Sequence, residues 1–306
     1  DLDIDASGTI ISTEVRPGLM HRSAEKLFEA RDFRQIMMLA NRHDWLSGVS
    51  SELGVALAVE KATGIVPPAR ATWSRMLLAE AGRIGASALL LGARGAPGAL
   101  ALREAWVDWQ ERATGGRVHP MINRIGGLEQ ALPGSSLIQI IELVSLAQQY
   151  ATSWMEYIDE CTDLHGLARL DHHTARTFAC SGAVGHASGV DWDIRRDDPY
   201  LAYNEIDVDW STPVLTQGDA HARYQSLVES VRLSAKIIGD CVTRLHDLAD
   251  DPFSVSLPKT LRTPESVVQG WTLNLGGRAG WHLDSEGDIY PVRLTARTAS
   301  FAPRQD

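Results

Sequence analysis

One long apolar segment in the middle of the chain decides the fold. Residues 135–162 read SSLIQIIELVSLAQQYATSWMEYIDECT. Apolar side chains recur there at steps of three and four residues, the spacing of one face of an α-helix. The apolar positions are Ile138, Ile141, Leu143, Val144, Leu146, Ala147, Tyr150, Trp154, Met155 and Ile158. Because so wide an apolar surface needs neighbours on several sides, the segment predicts a helix near the centre of a helical bundle.

Helical periodicity predicts further helices on both sides of this segment. The first begins with Ser23 as its N-cap and runs to residue 40, and others cover residues 50–62, 69–91, 100–114 and 220–248. Gly64 and the pair Pro67-Pro68 end the helix at 50–62, since glycine favours a helix C-terminus and proline blocks continuation. Residues 117–133 are rich in Gly and Pro and predict a structured loop with one short helix.

Short β segments are predicted at both ends of the chain. Ala6-Ser7-Gly8 is a turn signal that predicts a hairpin, and strands are predicted at 273–275, 281–283 and 289–294. The predicted fold class is therefore mainly α with small β parts (α+β), built on a central helical bundle. We divide the chain into a residual N-terminal β-hairpin at 1–20, a helical bundle with inserted loops at 21–251 and a β-rich segment at 252–306.

Composition limits the possible functions. The 306 residues carry 29 Lys and Arg against 39 Asp and Glu, a net charge of −10. Proteins that bind bare nucleic acid or anionic membrane surfaces usually carry the opposite balance. Cys161, Cys180 and Cys241 are too widely spaced for a disulfide framework or a CxxC metal clip, which favours a reducing, cytoplasmic setting. The sequence contains no run of 18 or more apolar residues, so no membrane-spanning helix is predicted. The first residues do not resemble a signal peptide.

Two clusters combine a histidine with an arginine at a bend of the chain. The first is His21-Arg22, before the first helix, and the second lies in residues 115–127, with Arg117 and His119. An arginine stabilises negative charge, and a histidine can transfer a proton near neutral pH. Taken alone, each cluster favours a surface turn with ordinary salt bridges. The sequence has no P-loop, dinucleotide-binding, GxSxG or HExxH motif.

Two further segments are rich in polar side chains. Asp171 and His172, with the nearby His165, could bind a metal ion in a soluble metal hydrolase. Adjacent histidines point in different directions, however, so a solvated turn is the favoured interpretation. Residues 188–203 combine many charges with three aromatic side chains, and predict a cross-braced loop that clamps helices or a neighbouring protein of a complex.

Six blocks, spread in order over almost the whole chain, resemble a known family. They are Met20-His21-Arg22-x-x-Glu25-Lys26-Leu27, Glu52-Leu53-x-x-Ala56-x-Ala58-Val59-Glu60, Gly116-Arg117-x-His119 through Gly126-Gly127, Ser181-Gly182 through Tyr203, Gly218-Asp219-x-x-x-Arg223-Tyr224, and Tyr290-Pro291-x-Arg293. The chain is similar to the 49 kDa-type subunit, also called the D-type subunit, of respiratory NADH–quinone oxidoreductase (complex I). This family is related to the large subunit of nickel–iron hydrogenases, and the chain resembles a divergent member truncated at both ends.

The resemblance implies a hydrogenase-large-subunit-like fold and a role inside a complex. The family binds no cofactor or metal of its own in complex I. It packs on the B-type subunit, which holds the terminal 4Fe–4S cluster, and quinone binds as substrate in the cleft between them. NADH binds at a distant subunit, and other peripheral-arm subunits are further partners. The expected location is the cytoplasmic side of the cell membrane, with membrane contact only through the complex, and the isolated chain is expected to be inactive.

The resemblance also implies site residues. Arg22 and His119 match the family's arginine and histidine beside the neighbour's cluster and are the expected cofactor-binding residues. A cation there favours the reduced cluster and raises its potential. Trp45 stands at the position of the family's quinone-binding tyrosine, and Trp45 and His21 are the expected catalytic residues. An indole N–H can donate a hydrogen bond, but it is no practical proton source near neutral pH.

Further departures from the family pattern leave a second hypothesis open. The family's quinone-binding histidine turn lies before Asp1, the loop at 94–99 is several residues short, and His186 stands where the family usually has arginine. The family's last strand and tail, beyond Phe301, are also missing. The first hypothesis is a subunit that lines a quinone cleft, and the second is a degenerate, non-catalytic paralogue that acts as a scaffold or interaction subunit.

Overall fold

The computed structural model describes residues 1–16, 18–210 and 212–299 and confirms the mainly helical α+β class. The helices are α1 (Ala24–Phe28), α2 (Phe33–His43), α3 (Gly48–Thr63), α4 (Ala69–Arg94), α5 (Ala99–Thr114), α6 (Gly134–Glu160), α7 (His172–Thr177), α8 (Gly182–Ala187), α9 (Ile194–Asp197) and α10 (Ala220–Asp247). The strands are β1 (Leu2–Ile4), β2 (Ile10–Thr13), β3 (Asn123–Arg124), β4 (Gly127–Leu128), β5 (Ser266–Asn274), β6 (Gly277–Ser285) and β7 (Arg293–Arg297).

Helices α4, α5, α6 and α10 form the central bundle. Helix α10 packs on both α4 and α6, and α5 contacts α4 and α6. Ile84, Trp154, Val231 and Ile238 are fully buried in this core. Among the described residues, only α4 is long and apolar enough to cross a membrane, but 72% of its apolar window is buried inside the protein. Helix α4 is therefore a core helix of the bundle.

Helix α6 lies at the edge of the bundle, not at its centre. Its bounds agree with the sequence prediction, and Ile140, Ala147 and Trp154 form its buried stripe. Ile138, however, is 70% exposed and Ile141 is 39% exposed. The predicted central position was wrong because the apolar surface of the helix is wider than the part that its neighbours cover.

The first predicted helix is in fact two helices. Helix α1 ends at Phe28 and α2 begins at Phe33, after Asp32, whose side chain accepts two backbone N–H groups of the first turn. Ser23 was predicted as the N-cap, but it has a left-handed backbone conformation and makes no side-chain cap. Because Asp is a strong N-cap residue, a new helix begins at Asp32 although the apolar spacing continues across the break.

A three-stranded antiparallel sheet in the order β5-β6-β7 forms near the C-terminus. Strands β5 and β6 pair from Ser266 opposite Ser285 to Asn274 opposite Gly277. Both strands are longer than the sequence predicted. The third strand begins at Arg293, later than the predicted residue 289.

Helix α3 packs closely on this sheet. A Cβ atom on Gly54 would lie 2.4 Å from the ring of Trp281, and a Cβ on Gly270 would lie 2.4 Å from the carbonyl oxygen of Gly54. Glycine at these two positions therefore lets the helix and the sheet approach. Phe28 and Leu283 are fully buried in the second apolar core, which the sheet forms with helices α1 to α3.

Two small hairpins complete the fold. Strands β1 and β2 pair on either side of the predicted turn at residues 6–8, and their side chains are exposed. Strands β3 and β4 pair within residues 117–133, where the sequence predicted a short helix instead. The division of the chain at 20/21 and 251/252 stays a prediction. Residues 17, 211 and 300–306, including Phe301 and the end of the predicted β-rich segment, lie outside the described residues.

The charged segment at 188–203 clamps the bundle helices, one of the two roles that its composition predicted. Arg195 is buried and donates hydrogen bonds to Glu80 of α4 at 2.9 Å and to Asp193 at 2.7 Å. Glu80 also accepts a hydrogen bond from Ser234 of α10 at 2.6 Å. Burial alone would raise the pKa of Glu80, but the charges of Arg195 and Arg83 lower it to about 2. The carboxylate therefore stays ionised at physiological pH.

Candidate functional site

The turn between α2 and α3 places Trp45 at the protein surface. Residues Trp45–Ser47 form a single 3-10 turn, and Trp45 is 53% exposed. The turn borders a narrow cleft whose other lining residues include Arg103, Trp106, Gln110, Val118 and Pro120. Because Val118 and Pro120 flank His119 in the chain, the loop that carries His119 borders the same cleft as Trp45.

A second and larger cavity shares Leu46 and Leu275 with this cleft. Its volume is about 300 Å³, at the lower end of ligand-binding cavities. Its wall is mainly apolar and consists of Asp44, Leu46, Leu90, Ala183, Val184, Arg223, Tyr224, Leu227, Leu275 and Gly276. The carboxylate of Asp44 accepts a hydrogen bond from Asn274, whereas Nε of Arg223 has no hydrogen-bond partner among the described residues. The cavity suits a mostly apolar ligand.

His119 is half-buried and contacts helix α2. Its Nδ1 lies 2.6 Å from Oδ1 of Asn41. Gln110 of α5 donates hydrogen bonds to two carbonyl oxygens of the loop before His119, at 3.2 and 2.9 Å, and so fixes the loop. Burial lowers the pKa of His119, and the positive charge of Arg42 lowers it further. Both effects favour the neutral form of the imidazole.

A buried carboxylate lies behind Asn41. Glu52 of α3 is 1% exposed, and its Oε2 accepts a hydrogen bond from Nδ2 of Asn41 at 3.0 Å. Its Oε1 accepts hydrogen bonds from the backbone N–H of Ile122 and of Asn123 at 3.2 and 3.1 Å, and from Nδ2 of Asn123 at 2.8 Å. Burial raises the pKa of Glu52 to about 7. Glu52 therefore changes charge near neutral pH and connects to His119 through a single amide.

The other two predicted residues lie on an exposed loop before α1. The guanidinium of Arg22 donates a hydrogen bond to the carbonyl of His21 at 2.9 Å, and Nδ1 of His21 accepts one from the backbone N–H of Ser23 at 3.2 Å. Within the described parts of the chain, no hydrogen bond or ion pair joins His21 or Arg22 to Trp45 or His119. The structure thus places Trp45 and the His119 loop at one cleft, and the grouping of all four residues stays a prediction.

The residues considered for a metal site have other partners. The side chain of Asp171 caps α7, Nδ1 of His172 lies 3.0 Å from the carbonyl oxygen of Ser188, and the ring of His165 stacks on that of His221 at 4.0 Å. In the part of the chain that the structure describes, no group of three or more His, Cys, Asp and Glu side chains could hold a metal ion. Among the described residues there is therefore no metal site that would support the interpretation as a metal hydrolase.

Two residues of the His119 network were not among the predicted site residues. Glu52 belongs to one of the six blocks that carry the family resemblance, and Asn41 directly follows the predicted end of the first helix at residue 40. The available signal was Glu52 itself, since an acidic residue followed by the apolar run of Leu53, Val55 and Ala56 is out of place unless it is paired. Nothing nearby in the sequence indicated which residues pair with it.

Comparison with known proteins supports one family. The sequence pattern of the respiratory-chain NADH dehydrogenase 49 kDa subunit matches residues 96–272. The first copy of the NADH-quinone oxidoreductase D subunit of Streptomyces coelicolor is 41% identical over 308 residues, covering 95% of this chain and 79% of that protein. The second-copy D subunits of Streptomyces griseus and Salinispora tropica are each 40% identical, covering 93% and 96% of this chain and 75% and 78% of those proteins.

The helical bundle, its small sheets and these similarities define a component of a respiratory NADH dehydrogenase. The chain belongs to the family of the 49 kDa subunit, which is called the D subunit in bacterial NADH-quinone oxidoreductases. The resemblance drawn from the six sequence blocks is confirmed. As a member of this family, the chain works inside an oxidoreductase complex with partner subunits.

Proposed function

We propose that the chain forms one wall of a quinone-binding cleft, beside the terminal 4Fe–4S cluster of a neighbouring subunit. One observation carries the proposal: the turn with the exposed Trp45 lies between a cleft that borders the His119 loop and an apolar cavity. In the complex, electrons from NADH reach a quinone, which takes up two electrons and two protons. A quinone has an apolar ring with two carbonyl oxygens, so it needs an apolar wall with a few donors.

The cavity beside Leu46 fits such a ring. Leu46, Val184 and Leu227 supply apolar contacts. The guanidinium of Arg223 also lines this cavity and is the donor that the proposal assigns to a carbonyl oxygen. The indole N–H of Trp45 supplies a second donor close by, but it cannot supply a proton near neutral pH.

Arg22 and His119 are the residues to which the proposal assigns the stabilisation of charge and the uptake of protons. When bound, the neighbour's cluster supplies the electrons for the quinone. Arg22 is an exposed cation, and a cation beside the cluster stabilises its reduced form and raises its potential. Burial and Arg42 favour the neutral form of His119, which can take up a proton when negative charge appears next to it. In this proposal Arg22 and His119 both face the cluster-bearing neighbour.

The proposal assigns partners and a location. The B-type subunit holds the cluster, other peripheral-arm subunits complete the complex, and NADH binds at a distant subunit, while this chain holds no cofactor itself. Leu19 is 87% exposed, Met20 is 85% exposed and Val118 is 47% exposed, which suits burial against a partner. The complex lies on the cytoplasmic side of the cell membrane, and the isolated chain has no turnover.

A cavity-filling variant in the assembled complex tests the proposal. Val184→Trp fills the apolar cavity and should raise the KM for a ubiquinone or menaquinone analogue by about tenfold, a loss of about 1.4 kcal/mol. The control is Ile138→Trp, which adds the same ring at a 70% exposed position of α6 and should leave the KM unchanged. The proposal is refuted if the wild-type complex neither binds nor reduces either analogue, or if both variants behave like the wild type.

A scaffold without redox turnover is the second candidate, because Trp45 provides no phenol. Trp45→Tyr and Trp45→Phe are matched variants that differ only in one hydroxyl group. If the chain lines a working quinone site, the Tyr variant should turn over at least as fast as the wild type and faster than the Phe variant. If the chain is a scaffold, all three proteins should assemble with the partner subunits and none should reduce quinone.

A further inference from the structure

Asn41 joins a buried carboxylate to the imidazole of His119. Its Nδ2 lies 3.0 Å from Oε2 of Glu52, and its Oδ1 lies 2.6 Å from Nδ1 of His119. Asn41 itself is fully buried. An amide has one donating and one accepting end, so its orientation decides whether each neighbour accepts or donates a hydrogen bond.

The carboxylate determines this orientation. Three N–H groups from Ile122 and Asn123 already point at Oε1 of Glu52, and Oε2 accepts from Asn41. While Glu52 is ionised, turning the amide round would bring its oxygen against the carboxylate oxygen, with no hydrogen between them. The amide nitrogen of Asn41 therefore faces Glu52, and its oxygen must accept a hydrogen bond from Nδ1 of His119.

We propose that ionised Glu52, acting through Asn41, holds the neutral imidazole of His119 in the tautomer with its proton on Nδ1, so that Nε2 is the nitrogen that accepts a proton. Within the described residues, the hydrogen bond of this ring is made by Nδ1. Glu52 and Asn41 are positioning residues. The inference about the tautomer stands on geometry, and its use in proton uptake rests on the proposed function.

The Glu52→Gln substitution should invert the tautomer. The oxygen of the new amide must stay at the Oε1 position, because three N–H donors point at it. The new NH₂ group then takes the Oε2 position and faces Asn41, whose amide has to turn and offer its oxygen. The nitrogen of Asn41 now faces Nδ1 of His119, so Nδ1 must accept and the proton moves to Nε2.

Nitrogen NMR of the full 306-residue chain measures the tautomer directly. The spectrum is recorded at about pH 9, where imidazole is neutral, and the His119→Gln variant identifies the signals of His119. The wild type should show Nδ1 at the shift of a protonated ring nitrogen and Nε2 at that of an unprotonated one. In Glu52→Gln the two nitrogens should exchange these shifts. A wild-type ring with its proton on Nε2, or a folded Glu52→Gln protein without the exchange, overturns the inference.

Two more variants keep the test decisive. Asn41→Ala removes the acceptor of the Nδ1 proton, so the Nδ1–H population should fall even if Glu52→Gln does not fold, and an unchanged population overturns the inference. Glu60→Gln is the matched control, since Glu60 is a buried glutamate on the same helix that bonds to Arg75 and Gly126. It should leave His119 unchanged, and a tautomer exchange there would contradict the inference. The NMR result needs no partner protein, so it is distinguishable from a failure of the proposed quinone site.

Discussion

Replacing Glu52 with Gln also tests the energetics of this buried carboxylate. Glu52 is 1% exposed, and its four hydrogen-bond donors are neutral amides of Asn41, Ile122 and Asn123. Burial raises the pKa of Glu52 from its ordinary value of 4.5 to about 7. Glutamine has nearly the same shape but cannot ionise, so the variant removes this titration while it fills the same space.

The sign of the effect follows from the two pKa values. The pKa of Glu52 in the folded chain is higher than in the unfolded chain, so the folded state binds more protons between pH 4.5 and about 7. The stability from protonated Glu52 is fully present below pH 4.5 and is lost as the pH rises through about 7. A rise in pKa from 4.5 to about 7 corresponds to about 3 kcal/mol. The free energy of unfolding of Glu52→Gln minus that of the wild type should therefore increase by about 3 kcal/mol between about pH 4.5 and 8.

Urea unfolding at a series of pH values, followed by the fluorescence of the nine Trp residues, measures this difference. Subtracting the free energies of unfolding of the two proteins cancels the titration of the groups that they share. The control variant is Glu156→Gln, at an exposed position of α6, which should not reproduce the increase expected for Glu52→Gln. A difference that stays flat or decreases with pH for Glu52→Gln would refute the reasoning, because the four amide donors would then outweigh burial.

Three further predictions concern stability, each measured by urea unfolding. Arg195→Met should lower the free energy of unfolding by about 3–5 kcal/mol, because Glu80 loses a cationic partner in the core, and a loss below about 1 kcal/mol would contradict a buried clamp. Asp32→Ala should cost about 1 kcal/mol through the lost cap of α2, whereas Asp32→Asn should restore most of it. Gly54→Ala should cost about 1–3 kcal/mol, since its methyl group would lie 2.4 Å from Trp281, and an unchanged stability would show that the helix can move away from the sheet.

The ends of the long helices could be predicted because they depend on neighbouring residues. Helix α3 ends at Gly64, which adopts φ = +69°, as predicted from glycine's freedom at positive φ. Helix α10 begins after Asp219, whose side chain accepts a hydrogen bond from the backbone N–H of Ala222 at 2.9 Å. Such signals act within one helical turn, so a single sequence contains them.

Contacts between distant segments could not be predicted in this way. Asn41 and His119 are 78 positions apart, and Glu52 and Asn123 are 71 apart, yet both pairs form hydrogen bonds. The same limitation explains Ile138, whose exposure depends on which face of α6 its neighbours cover. The family resemblance supplied Trp45 and His119 as candidates, but only the fold connects the His119 loop to the buried carboxylate.

Two buried glutamates have different roles because their hydrogen-bond partners carry different charges. Burial acts on both, but Glu80 faces Arg195 and Arg83, which lower its pKa to about 2, whereas Glu52 faces only neutral amides and its pKa rises to about 7. Moving the proton of a group costs about 1.4 kcal/mol for each unit between its pKa and the pH. At pH 7, protonating Glu80 therefore costs several kcal/mol, while protonating Glu52 costs almost nothing. Glu80 can serve only as a fixed charge that braces the bundle, whereas Glu52 can gain or lose a proton near neutral pH.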